Sequence, residues 1–315
     1  MMNEPTFFVV GAPKAGTTAM CKHLSKHPEI FIPPKKELNY FCTELADRQK
    51  KYSLEEYLDY FQEGSGKICG EGTPLYLPSK FAAQKIYDFN NRAKIIIMLR
   101  EPVSLLYSLH SQYLYNGSSE DIQSFQEALN AESDRKQGKR IPQHCKNPNK
   151  LIYREFVRYT EQVKRYFDLF GRDRVHIIIF DDLKADFSRV YRETLNFLEV
   201  NPEFQLDFQK INSNKKVRNV GLQKLIKYPP AKILEIGKFF VPLPQNTRRY
   251  LLETFKNQLK KLNTEKSARP PLSSEFKHAL QEEFSAEIQS LSQLLGRDLT
   301  HWSTKARSSD RKIKE

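Results

Sequence analysis

The stretch TFFVVGAPKAGTT, residues 6–18, constrains this chain more than any other. Its apolar run shows no two-residue alternation, so it reads as a strand buried on both faces. Two glycines follow, Gly11 and Gly16, spaced as in the phosphate loop G-x-x-x-x-G-K-[ST], and then a helical pattern from Thr18. A strand, a glycine loop and a helix start together aim backbone N–H groups at one point, which makes an anion cradle. The lysine that a triphosphate loop needs after its second glycine is missing. Thr17 stands there, and the lysine lies three positions earlier, as Lys14. Because that lysine normally reaches the β/γ-phosphates, the loop is impaired for a metal-bound triphosphate.

The rest of the chain repeats the strand-then-helix theme. IIIML (95–99) and HIIIF (176–180) read as further buried parallel strands, and KICGEGT (67–73) as a weaker one. Amphipathic patterns at 18–27, 153–171 and 188–200 read as the covering helices. The expected fold is a three-layer α/β domain of phosphate-loop type, with a central, mainly parallel sheet flanked by helices. A helical C-terminal part should follow from about residue 222, broken at Pro229–Pro230, Pro242–Pro244 and Pro270–Pro271. We expect one domain over 1–302 and a charged, disordered tail over 303–315. The polar segment 116–150 should hold one short helix near 123–136 and otherwise form a mobile excursion. Such an excursion is either a substrate-side loop or a tolerated insertion.

Lysine and arginine number 51 against 38 acids, a net charge of +13, which favours an anionic partner. The cations are dispersed and often sit beside acids, as in EKSARPP and GRDR, which argues against a nucleic-acid-binding stripe. Cys21, Cys42, Cys69 and Cys145 are far apart, so neither a zinc site nor a disulfide framework is expected. No signal-peptide pattern precedes the first strand and no 18-residue apolar run occurs, so the expectation is a cytoplasmic protein with no membrane span. His23 and His27 are spaced as metal ligands but have no evident third partner, so they read as surface residues and no metal is expected. Oligomeric state leaves no mark in the sequence.

A second signature follows the IIIML strand. In AKIIIMLREPVSLLYSLH, Arg100 stands at the strand end, Pro102 at a first helical turn, and Ser108 two turns further. An arginine fork with a hydroxyl suits a terminal phosphate. Together with Pro13-Lys14-Ala15-Gly16-Thr17-Thr18, this pair of motifs resembles the sulfotransferases that use 3′-phosphoadenosine 5′-phosphosulfate, in their bacterial, heparan-sulfate-like carbohydrate branch. The resemblance runs to about Trp302.

The resemblance implies a metal-free enzyme that leaves adenosine 3′,5′-bisphosphate. It assigns Lys14, Ala15, Gly16, Thr17 and Thr18 to the 5′-phosphosulfate, and Arg100 and Ser108 to the 3′-phosphate. KINSNKKVRNVGLQKLI (210–226) looks like the family's late basic loop, with Lys215, Lys216 and Arg218 as candidate cofactor contacts. Lys14 would stabilise the leaving phosphate. In PPKKELNYF, Glu37 matches the family's general base, although Asn39 stands where heparan-sulfate enzymes often carry histidine. Glu71 in GEGTPLYL is an acceptor-site carboxylate or the alternative base, and Gly72 stands where the family has lysine. Tyr76 and Pro74 read as packing. The implied acceptor is a hydroxyl on a saccharide or a glycosylated small molecule. The rival is a nucleotide kinase or another triphosphate enzyme, for which Asp181–Asp182 after HIIIF would be the metal-binding acids.

Overall fold

The computed structural model describes residues 3–46, 52–116, 119–204, 215–217, 258, 264–266 and 269–303. The chain forms two compact units. Met1–Leu109, Ile152–Lys210 and Leu272–Glu315 make the first; His110–Leu151 and Ile211–Pro271 make the second.

The first unit is built on five strands: β1 (Pro5–Gly11), β2 (Ile30–Phe31), β3 (Ile68–Gly72), β4 (Lys94–Leu99) and β5 (Val175–Ile179). Their order is β2-β3-β1-β4-β5, and every pairing is parallel. Phe8, Val9, Val10 and the whole run Ile95 to Leu99 are sealed from solvent, as the unalternating apolar runs require. Helices α1 (Thr17–Leu24), α2 (Leu54–Leu58), α3 (Ala82–Phe89) and α4 (Pro102–Asn116) follow the early strands. The chain goes to one side of β1 for β3 and to the other for β4. The carboxyl end of β1 is therefore the switch point where open α/β sheets bind ligands. The glycine loop sits there.

Local sequence explains several element starts. Pro102 opens α4, and the Glu101 carboxylate accepts from the N–H groups of Val103 (3.0 Å) and Ser104 (2.7 Å), closing that end. The helix expected over 153–171 starts only at Tyr159, because Tyr153–Val157 winds as a tighter three-residue turn. His23 and His27 are buried, not on the surface as expected. His27 Nε2 lies 3.0 Å from the Asn201 carbonyl, and His27 Nδ1 accepts from the Glu29 N–H at 3.2 Å. Burial also pulls the His23 pKa down.

In the second unit, the single helix expected near 123–136 is two, α5 (Phe125–Asn130) and α6 (Glu132–Lys136). Arg135 grips Glu120 in a bidentate pair, at 2.8 and 2.7 Å, with both side chains fully buried. After α7 (Tyr159–Phe170), α8 (Phe180–Ala185) and α9 (Phe187–Leu198) of the first unit come two short strands of the second. These are β6 (Lys215–Val217) and β7 (Thr264–Lys266), paired antiparallel. A strand at 264–266 departs from the all-helical reading of the chain beyond 222. The proline breaks at 229–230 and 242–244 lie outside the described residues, as does 304–315. Two helices complete the first unit, α10 (Ser274–Glu283) and α11 (Ser285–Leu295).

Candidate active site

The glycine loop leaves β1 and is tied to the neighbouring strand by the Ala12 N–H, which donates to the Met98 carbonyl at 2.6 Å. Lys14 adopts a left-handed backbone with φ of 65°. Gly16 follows with φ of 95°, and a Cβ there would stand 3.1 Å from Leu183 Cδ2 and 3.3 Å from Phe180 Cε2. Only glycine meets both demands. No side chain caps the start of α1 and its first turn carries no acid, so the dipole end stays open to an anion. Thr17 is buried and Ala15 sealed, while Lys14 and Thr18 are half-buried.

Arg100 joins this loop from the end of β4. Its Nη1 donates to the Lys14 carbonyl at 2.9 Å, and its guanidinium stacks 4.8 Å from the centre of the Phe180 ring. Tyr159 fixes the Arg100 backbone by donating to its carbonyl at 2.8 Å. The Arg100 Nε is enclosed and has no hydrogen-bond partner. Burial pulls the Arg100 pKa down, against the charges of Tyr159, Glu101 and Asp181. An enclosed guanidinium N–H without an acceptor is costly, and an incoming phosphate would complete it. The open helix end at the loop and the unpartnered Arg100 Nε are two groups that could each hold an anion. Ser108 is buried on α4. Lys215 and Lys216 lie on β6 in the second unit, and Arg218 is outside the described residues.

The segments that carry the two carboxylates expected on the acceptor side, Glu37 and Glu71, are joined at the end of β3. Glu37 is exposed, with φ of 58°; its N–H donates to the Gly72 carbonyl at 3.2 Å, and its own carbonyl accepts from Asn39 Nδ2 at 2.6 Å. Glu71 is buried and accepts three hydroxyls: Tyr57 at 2.5 Å, Thr73 at 2.7 Å and Tyr76 at 2.7 Å. Each bond fixes a hydroxyl hydrogen, and two of these oxygens then accept from the loop that carries Glu37. Thr73 Oγ1 takes the Asn39 N–H at 3.4 Å, and the Tyr76 hydroxyl takes those of Tyr40 (3.1 Å) and Phe41 (3.5 Å). Burial raises the Glu71 pKa, and the three hydroxyls oppose it. Tyr76, read from sequence as packing, is thus part of a relay of hydrogen bonds. No local spacing announces Tyr57 or Thr73 as members.

The two lysines before Glu37 differ in kind. Lys35 Nζ donates to the hydroxyls of Tyr52 and Tyr60. Lys36 Nζ is enclosed without a hydrogen-bond partner. The acids of the rival reading are already engaged. Asp182 accepts both Arg297 Nη atoms at 2.5 and 2.7 Å, while Asp181 accepts the Trp302 indole N–H at 2.7 Å and Lys184 at 3.1 Å. A cavity of about 500 Å³ lies beside the Glu37 turn, bordered by Asn39, Tyr40, Thr43, Tyr52, Lys85 and Asp88.

Comparison with known proteins gives one consistent result. Residues 4–242 match the family described as the sulfotransferase domain. A membrane-associated sulfotransferase, kil1, of Dictyostelium discoideum is 23% identical over 82% of this chain and 64% of its own length, so this chain spans less than two thirds of it. Heparan sulfate glucosamine 3-O-sulfotransferase 5 of Mus musculus is 23% identical over 76% of this chain and 70% of its own. A sulfotransferase crystal structure from Alicyclobacillus acidocaldarius superposes with a TM-score of 0.68 at 26% identity, covering 95% of this chain and 98% of that one.

Proposed function

Since this chain belongs to the sulfotransferase family, we propose that it carries a sulfuryl group from 3′-phosphoadenosine 5′-phosphosulfate to a hydroxyl acceptor. The observation that carries this reading is the seat of Arg100, whose Nη1 binds the Lys14 carbonyl while its enclosed Nε lacks an acceptor. One side chain thereby ties the 5′-end loop to a guanidinium N–H that a second, separate phosphate would complete. Triphosphate loops have no such need.

The donor supplies the sulfuryl group and a phosphate leaving group. The chain supplies positioning and charge. The N–H groups of Gly16 to Thr18 and their hydroxyls hold the 5′ end, and Arg100 with Ser108 holds the 3′-phosphate. For Lys215, Lys216 and Arg218 the assignment to the donor rests on the sequence resemblance alone, and Arg218 lies outside the described residues. Lys14 neutralises charge on the leaving oxygen. Glu37, exposed at its turn, takes the proton of the acceptor hydroxyl. Glu71 has its oxygens committed to hydroxyls, so we assign it to holding the Glu37 turn rather than to proton transfer.

The acceptor in this reading is a saccharide or a glycosylated small molecule. The tyrosines and polar groups among the otherwise apolar border of the cavity next to Leu38 and Asn39, and the heparan-sulfate-modifying relative, both favour it. The location in this reading is the cytoplasm, supported by four cysteines of which none forms a disulfide. Among the described residues, no helix is long and apolar enough to cross a membrane.

Calorimetric titration with adenosine 3′,5′-bisphosphate and with ATP, each with and without Mg²⁺, tests the donor. The expected result is metal-independent binding of the bisphosphate, weakened at least about 100-fold by Arg100→Ala, which removes a charge-assisted pair. Binding of Mg²⁺-ATP alone would sink the proposal in favour of a kinase.

A further inference from the structure

Lys36 is an ammonium that the fold encloses and leaves without a hydrogen-bond partner. Its position is set by what it crosses. Lys36 Cε lies 3.7 Å from where a Cβ on Gly72 would stand. Cys21 Sγ comes within 2.5 Å of that same point. Any side chain at position 72 would collide with Cys21, so glycine is required there by close approach. Gly72 is the last residue of β3 and pairs in register with Val9, two residues before the glycine loop begins. Cys21 lies one turn inside α1, the helix that the loop feeds. The ammonium therefore stands at the carboxyl end of the sheet, beside the first turns of the anion-binding helix and the Glu37 turn. The Cys21 thiol registers this neighbourhood: burial pushes its pKa up, the Lys36 charge pulls it down, and Glu37 and Glu71 push it up again.

A buried cation without a counter-group is destabilising unless an anion arrives to complete it. We infer that Lys36 is the second cation of the sulfuryl site, binding the oxygens of the group in transfer and supplying from position 36 the charge that position 72 has no room to carry. This rests on the sulfotransferase reading above. Lys36 stays protonated throughout and forms no covalent bond. Lys14 serves the oxygen that leaves, and Lys36 serves the group that moves.

The two nucleotides of the reaction isolate this role, because adenosine 3′,5′-bisphosphate lacks the sulfuryl group. Both are titrated calorimetrically, without acceptor, into the wild type and Lys36→Met. Expected is bisphosphate affinity within about twofold of wild type, and donor affinity lowered about 10- to 100-fold. The melting temperature of unliganded Lys36→Met should rise, since an uncompensated charge has been removed. A triple variant, Lys36→Met with Gly72→Lys and Cys21→Ala, should restore the preference for the sulfated donor, because the alanine clears the collision at position 72. Equal affinities of wild type and Lys36→Met for the donor would overturn the inference. So would parallel losses for both nucleotides, or a lowered melting temperature. If the wild type binds neither nucleotide, the sulfotransferase reading itself has failed.

Discussion

Lys14, Glu37 and Asn39 all hold left-handed backbones, with φ of 65°, 58° and 57°. For residues bearing a Cβ this costs about 1–2 kcal/mol each, and such outliers gather where geometry serves function. Lys14 was legible in the sequence because its motif is local: one strand, two glycines and a lysine within thirteen residues. Glu71 was legible only as a carboxylate. Its meaning depends on Tyr57, fourteen positions earlier, and on the backbone of residues 39 to 41, thirty or more away. Glu71→Gln should destabilise the protein by about 1–3 kcal/mol, since it cannot accept all three hydroxyls. It should also lower turnover with Glu37 intact and leave donor affinity unchanged. Amide exchange at Asn39, Tyr40 and Phe41 should accelerate. Unchanged exchange with lost turnover would instead mark Glu71 as a direct base.

Helix α8 is only six residues long, yet it connects Arg100 and the glycine loop to the end of the described chain. Phe180 at its start touches both Arg100 and Gly16, while Asp181 and Asp182 hold Trp302 and Arg297. Helix α11 adds Glu287, which accepts the Thr160 N–H (2.6 Å) and hydroxyl (2.7 Å) at the start of α7. Asp181 is pushed up by burial, but the Trp302 and Lys184 donors outweigh this and hold it below 3.8. Asp182 is held below the same value chiefly by Arg297. Depressed carboxylates add stability that is complete above pH 3.8 and is lost as pH falls through their lower folded values. Trp302 is the sole tryptophan, so its emission should shift red in that acid window. Arg297→Ala should move the shift to higher pH, and an identical titration in that variant would refute the coupling. The strands and the long helices were readable from periodicity. This clamp was not, because its partners stand 115 and 121 residues apart.

At the scale of the molecule, a net charge of +13 would steer the anionic donor of the proposed reaction before any contact forms. The second-order rate constant for the donor should fall severalfold between about 50 and 500 mM salt, with turnover at saturation little changed. A salt-independent rate constant would show that steering has no part. The parallel sheet could be read because buried strands write themselves as unbroken apolar runs. The second unit could not, since it joins 110–151 to 211–271 across the whole of the segment 152–210 and no local pattern marks such a join. The tight meeting of Gly72 and Cys21 also has a historical side. A cation can reach that corner from position 36 or from position 72, but a side chain at 72 needs the space the sulfur fills. Passage between the two arrangements takes three substitutions, and the order that keeps both charge and space begins with Cys21→Ala, which clears the corner, and ends with Lys36→Met. Descendants of one ancestor that carry a cation at position 72 should therefore also carry a residue smaller than cysteine at position 21.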